Sequence, residues 1–466
     1  MRGRTVSSRR TFITGTTATA IAAALSMPAQ AVPEDVQASE QKETTMEGPT
    51  FYWGIGIENC WMAEHTEQNR PSKRLLDVYL LMQHYTMWRE DLDKAAELGV
   101  KAIRYSVPWY RANPRPGVYD WSWISQPLDY MVHKLNIIPV IDLIHYGTPT
   151  WMENGVFNND YAQRFADYTT AFARQFRGLV THYTPHNEPQ LGATYAGLNA
   201  YWPPYLTGLD GWAKVGLNIG KGMMLVSQAL RAEVKDAVLI SADCLVNPAP
   251  ADVEDAFRVN VRNGPADVRA TFEYQVLTFP SSMVYGMVPP HSAFGQALIN
   301  AGATEQQIAW FHHQAQAPDI VGCNYYPVCF DQPGVDNTTG VIQGQQELQR
   351  RLQQAATFFK RPVYVTETSA GYNDAEKGIW MQAAYDVIRL LRAQGVAVVG
   401  MNWWPLFETV QWAYRDTTKT VMECIYPGGW NNALFTIKEE FDGTLTRVHT
   451  GAADMYRNLI AAHPQG

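Results

Sequence analysis

The sequence predicts an α/β protein folded as a (β/α)8 (TIM) barrel, with long loop insertions after strands 5 and 8. Three observations predict it. Eight short apolar runs alternate with stretches of helical periodicity. Two of the runs stop at glutamates, Glu188 and Glu367, that lie far apart in the chain. Other runs end in costly polar and aromatic groups where a chain that only needed to turn would use turn formers. Strand–helix alternation repeated eight times implies a closed parallel barrel, whose strands all point their C-terminal ends at one face, where active sites lie.

The runs, in order, cover residues 51–57, 102–107, 137–144, 179–185, 238–242, 320–326, 363–366 and 397–404. Helical patterns fall between most of them, at 88–98, 161–176, 212–234, 345–359 and 377–393, the last followed by Gly395 as a C′ residue. Residues 244–318 are too long for a simple crossover, so extra helices and part of a pocket wall are expected there. A second insertion, 408–435, is rich in aromatics, Gly and Asn.

The termini and the composition narrow the function. Ser8-Arg9-Arg10-Thr11-Phe12-Ile13, an Ala- and Thr-rich apolar stretch and Ala29-Gln30-Ala31 have the order of a twin-arginine export signal with a small-x-small cleavage site. Residues 1–31 therefore read as a removed signal peptide and 32–49 as a disordered tether, leaving 50–466 as one barrel domain in a periplasmic or extracellular protein. Residues 1–31 hold four arginines and no acid, so the mature chain keeps 33 basic side chains against 45 acidic ones, a net charge of −12. That argues against a nucleic-acid or anionic-membrane partner, and no later segment is long and apolar enough to span a bilayer. Five cysteines have no metal-ligand spacing and read as buried thiols. Nothing calls for a metal or a cofactor.

The strand-end residues carry the chemistry. Arg104 lies in the second run; His145 follows the third; Asn187 and Glu188 follow the fourth; Asn324 and Tyr326 end the sixth; Glu367 ends the seventh; Trp403 and Trp404 end the eighth. Alone, Arg104 would read as half of a structural ion pair, His145 as a satisfied core histidine, and the aromatic pairs as packing. At the ends of six strands of one barrel they read together as a site. Two opposed carboxyl groups are what hydrolysis of a glycosidic bond needs: one protonates the leaving oxygen, the other attacks the anomeric carbon or activates water. Glu188 is assigned as acid/base because Asn187 beside it can hold the sugar 2-hydroxyl. Glu367 is assigned as nucleophile, kept ionised by Arg104 and Tyr326.

With these residues in place, the chain from Phe51 to about Tyr456 resembles glycoside hydrolase family 1, the β-glucosidase family. Asn187-Glu188-Pro189 and Thr366-Glu367 match its acid/base and nucleophile motifs; Asp319-Ile320-Val321-Gly322-Cys323-Asn324-Tyr325-Tyr326 resembles its sixth-strand motif. The resemblance implies a retaining mechanism, sugar contacts from His145 and Asn324, and a sugar platform from Trp404 and Trp412. It also marks departures. Trp61 stands at the spacing of a sugar-binding glutamine, for which Glu58 or Asn59 would substitute, and Gln411 stands where the family has a sugar-gripping glutamate. The expected protein is thus a secreted retaining β-glycosidase acting on a carbohydrate or glycoside. A transglycosidase, an endo-acting hydrolase of the same clan and a catalytically silent sugar-binding protein are the alternatives. The sugar, exo or endo action and the oligomeric state stay open.

Overall fold

The computed structural model describes residues 50–62, 65–67, 70–245, 265–425 and 432–466. The expected export signal (1–31) and tether (32–49) lie outside the described residues, as do parts of both expected insertions. Eight parallel strands form the barrel. The first, Tyr52–Ile57, pairs with the second, Ala102–Ser106, and with the eighth, Val398–Trp403. The third, Ile138–Asp142, lies between the second and the fourth, His182–Thr184. The sixth, Val321–Asn324, and the seventh, Val363–Thr368, complete the other side.

The ring closes at a broken fifth strand. Val238–Leu239 pairs with the fourth strand and Asp243–Cys244 with the sixth, while Ile240 between them bridges Ile320 in parallel. Gly322 of the sixth strand makes the close approach possible. A Cβ there would stand 1.8 Å from the Ser241 carbonyl oxygen, a distance no side chain tolerates.

The interior splits as a barrel requires. Ala102, Val140, Ile240, Tyr364 and Val399 form a small inner cluster. A much larger cluster packs the outer strand faces on the helices, including Ile103, Ile141, Val365 and Met401. Among the helices, His84–Glu97, Tyr161–Gln175, Gly208–Glu233, Asn337–Phe359 and Asp374–Ala393 fall where helical patterns were expected. The fourth starts eight residues before the expected 345, because Asp336 caps it by accepting from the Thr339 N–H at 3.0 Å. Gly395, following the last, has φ +85°, the left-handed C′ conformation. Between the fifth and sixth strands the described residues hold four helices: Ala266–Leu277, Ser281–Val284, Ala293–Asn300 and Glu305–His313.

The C-terminal segment returns to the barrel. A hairpin, Phe435–Glu439 with Leu445–His449, leads to the helix Gly451–Ala462. Tyr456 from that helix donates to the Gly54 carbonyl at 2.7 Å, and Trp53 donates to the His463 carbonyl at 2.6 Å.

Candidate active site

Glu367 reaches the barrel mouth through a bulge. From Gly322 to Asn324 the sixth strand takes two steps while the seventh takes three, Tyr364 to Glu367. The eighth strand shows the same mismatch, with Met401–Trp403 opposite Val365–Thr368. One extra residue in the seventh strand breaks the strict in–out alternation, so Thr366 and Glu367 both serve the interior. The Thr366 hydroxyl donates to Asn324 Oδ1 at 2.7 Å.

Glu188 lies beyond the fourth strand, which ends at Thr184 rather than running to 185 as expected. The intervening loop is held by backbone bonds from Asn187 N–H to the Ile144 carbonyl and from Glu188 N–H to the Ala242 carbonyl. Glu188 itself has φ +38° and starts the short helix Pro189–Gly192. A left-handed non-glycine residue costs roughly 1–3 kcal/mol and persists where the surroundings over-determine it. Its neighbour in the site, Tyr146, is also left-handed, at φ +78°.

Arg104, fully buried, organises the charges. Its Nη1 donates to Glu367 Oε1 at 2.5 Å and to Glu58 Oε1 at 3.1 Å; its Nη2 donates to Asn187 Oδ1 at 2.8 Å and lies 3.5 Å from Asp142 Oδ1. Three carboxylates thus surround one guanidinium. Burial disfavours charge on Asp142, but Arg104 and His145 more than offset it and hold that carboxyl below the usual range. Glu58 goes the other way: burial pushes it well up against the pull of Arg104.

The two catalytic candidates meet different partners. Tyr326 donates to Glu367 Oε2 at 2.5 Å, so both oxygens of Glu367 are engaged, one by a cation. Glu188 is met by uncharged donors, the Tyr146 hydroxyl on Oε2 and Asn324 Nδ2 on Oε1 at 3.1 Å. Burial pushes both glutamates up. Arg104 and Tyr326 oppose that at Glu367, which burial still leaves at about 7, and Tyr146 and Asn324 oppose it at Glu188.

The remaining expected residues divide. His145 Nδ1 bonds Asp142 Oδ2 at 2.7 Å and its Nε2 lies 3.2 Å from Asn187 Nδ2, so it joins the network. Trp404 Nε1 donates to Glu58 Oε2 at 2.8 Å, with its ring 5.9 Å from that of Tyr326. Trp412 packs on Tyr146 and Trp202 at 5.5 and 5.2 Å. Asn59 is turned to other work: its Oδ1 accepts from the Tyr79 N–H at 3.0 Å, and its amide lies 3.5 Å from the Tyr85 hydroxyl. Gln411 precedes the single turn Trp412–Asp416. Two participants were not anticipated. Asp142 sits inside the third run and reads there as a strand residue. Tyr146 follows His145 directly, and its hydroxyl serves both Glu188 and Asn187, the latter at 2.9 Å. All five cysteines are buried thiols.

With this geometry in view, relatives can be weighed. Residues 46–225 match the family model described as glycosyl hydrolase family 1. That stretch contains Asn187-Glu188-Pro189 but not Glu367, whose place in the site rests on the three-dimensional arrangement. A 1,4-beta-D-glucan glucohydrolase of Thermotoga neapolitana is 28% identical over 165 residues, covering 34% of this chain and 38% of that protein. Beta-glucosidase A of Thermotoga maritima is 25% identical over 197 residues, 41% of this chain and 44% of that protein. The chain thus spans about two fifths of the length of these curated relatives. A solved family 1 β-glucosidase from Thermotoga maritima, in complex with isofagomine lactam, superposes over 88% of this chain and 98% of its own with a TM-score of 0.69 at 18% identity. The fold is therefore the (β/α)8 barrel of those structures, and residues 46–225 are similar to glycosyl hydrolase family 1.

Proposed function

We propose that the protein is a β-glucosidase-like glycoside hydrolase that cleaves O-glycosidic bonds by double displacement outside the cytoplasm. The observation that carries this is the contrast between two buried glutamates at one barrel mouth. Glu367 is gripped by Arg104 and Tyr326, which suits a carboxylate that attacks the anomeric carbon. Glu188 is buried among neutral donors, which suits a carboxyl that keeps a proton for the leaving oxygen. In the first half-reaction Glu367 Oε displaces the leaving group, which takes the Glu188 proton. In the second, Glu188 takes a proton from water, which releases the sugar with its original anomeric configuration. The names of the relatives make glucose the first sugar to test.

The test is hydrolysis of aryl β-glycosides by the mature protein, beside Glu188→Ala and Glu367→Ala. Wild type should turn over and Glu367→Ala should fall by a factor of about 10³ or more, since the covalent route is removed. Proton NMR of the first-formed sugar should show the β anomer; the α anomer would replace retention with inversion. Glu367→Gln that binds sugar as wild type does, in a wild type with no turnover on any glycone, would leave a binding protein.

Export rests on the twin-arginine pattern alone. Changing Arg9-Arg10 to Lys-Lys should keep the enzyme in the cytoplasm; unchanged secretion would remove that part of the reading.

A further inference from the structure

Asp243, at the broken fifth strand, carries a buried carboxyl that the proposed reaction does not use. Its Oδ1 accepts from the Ser281 hydroxyl at 2.5 Å and from Gln190 Nε2 at 3.3 Å; its Oδ2 accepts from the Ser241 hydroxyl at 3.0 Å. Asp243, Ser241, Ser281 and Gln190 are all buried. No lysine or arginine pairs with the carboxyl among the described residues, and burial pushes it up to about 6 against these neutral donors. Burying a carboxylate without a counter-charge is costly. What the fold gains is a junction. The bonds run from the strand end, Asp243–Cys244, to the helix Ser281–Val284 and to the short helix Pro189–Gly192, which Glu188 starts.

Two ties lead from this junction to Glu188. Gln190 lies two residues beyond it, and its Oε1 has no partner among the described residues, so the bond to Asp243 is what fixes this amide. The carbonyl of Ala242, immediately before Asp243, accepts from the Glu188 N–H at 2.8 Å. On the other side of Ala242, the Ser241 hydroxyl both donates to Asp243 and accepts from the Gly322 N–H at 3.1 Å. The carbonyl that receives the Glu188 N–H is therefore pinned from both sides. Glu188 needs such pinning, because its φ of +38° is unfavourable for a residue with a side chain and persists only where the surroundings hold it. A carboxyl that protonates a leaving oxygen must stay within hydrogen-bond reach of it, and a displacement of about 1 Å can cost roughly a hundredfold in rate.

We propose that Asp243 is a positioning residue: through Gln190 and the Ala242 carbonyl it holds Glu188 in the left-handed conformation that aims its carboxyl into the barrel mouth. That the aimed carboxyl is the acid rests on the proposed function. Asp243 acts through its neighbours and takes no part in bond making or breaking.

The experiment compares kcat/KM for phenyl β-D-glucoside and 2,4-dinitrophenyl β-D-glucoside in the mature protein, Asp243→Asn and Gln190→Met. Asp243→Asn replaces an acceptor oxygen by an amide; Gln190→Met keeps the length of the side chain and removes its donor. Circular dichroism confirms that each is folded. Phenoxide is a poor leaving group and needs the Glu188 proton, whereas dinitrophenoxide departs without it, and kcat/KM reports the half-reaction in which that bond breaks. In both variants the value should fall about tenfold or more on the phenyl glucoside and stay within about twofold on the dinitrophenyl one. An equal fall on both substrates, or no fall on the phenyl glucoside, in either variant overturns the proposal and leaves Asp243 a structural residue of the seam. If wild type hydrolyses neither glucoside, the hydrolase reading falls and the crystal structure of Gln190→Met decides this one. A Glu188 that leaves the left-handed region, or whose N–H leaves the Ala242 carbonyl, supports positioning; an unchanged Glu188 overturns it.

Discussion

At Glu188, burial and hydrogen bonding pull in opposite directions. Burial favours the protonated carboxyl; the Tyr146 hydroxyl and Asn324 amide favour the charged form. Tyr146→Phe deletes the first of these donors. The carboxyl should then hold its proton to higher pH, and the basic limb of kcat/KM should move up by about one pH unit. A merely structural tyrosine would lower activity without moving that limb. Arg104 illustrates why a lone arginine in a strand is ambiguous as sequence. Its role is set by Glu58, Asp142, Asn187 and Glu367, which come from four different strand ends. Glu58, a candidate for sugar contact, has its oxygens on Arg104 and Trp404.

Among the elements, the fifth and seventh strands depart most from regularity, and both departures serve the site. The fifth breaks at Ser241, whose hydroxyl accepts from the Gly322 N–H at 3.1 Å. Gly322→Ala would drive a methyl into the Ser241 carbonyl, so the ring should open at this seam. A stability loss of about 3 kcal/mol or more is expected in urea unfolding, or failure to accumulate as soluble protein. A variant as stable as wild type would show that the seam can give. The helix Glu305–His313 supplies the contrasting case. Its capping box, with the Thr304 hydroxyl accepting from the Gln307 N–H at 3.1 Å and Gln307 Oε1 accepting from the Thr304 N–H at 2.8 Å, is local and solvent-exposed. Thr304→Ala should cost about 1 kcal/mol and leave turnover unchanged, read as a lower urea midpoint at constant kcat. That cap is local, lying within four residues of sequence. The bulge in the seventh strand is not, because it exists only relative to two neighbours.

Across the whole molecule, the C-terminal hairpin is tied back to the helix that follows the first strand. Arg447 in the C-terminal hairpin donates from Nε to Asp91 Oδ1 at 2.6 Å and from Nη2 to Asp91 Oδ2 at 2.9 Å. The same Nη2 also reaches the Met82 carbonyl at 2.7 Å. His84 bonds Asp91 as well, at 2.7 Å, but burial pushes that imidazole down and keeps it neutral. Arg447 is therefore the cation that balances Asp91, across 356 residues of sequence. Arg447→Met should leave a buried carboxylate uncompensated and cost about 3–5 kcal/mol. A melting temperature within a degree of wild type would refute that assignment.

By itself the sequence determined the number of strands, the helices between them and both glutamates. Those features are written in local periodicity and in short motifs such as Asn187-Glu188-Pro189. It also placed His145, Asn187, Asn324 and Tyr326 at strand ends, where the barrel geometry brings them to one mouth. Only the tertiary structure decided which oxygen meets which donor. Tyr146 became the partner of Glu188, Asn59 accepts from the Tyr79 backbone, and Glu58 became a second carboxyl on Arg104. It also decided the bulge that turns Glu367 inward. The physical reason is range. Helix and strand patterns repeat within a few residues, whereas hydrogen bonds, bulges and cavities are relations between strands that the chain joins only by closing the barrel.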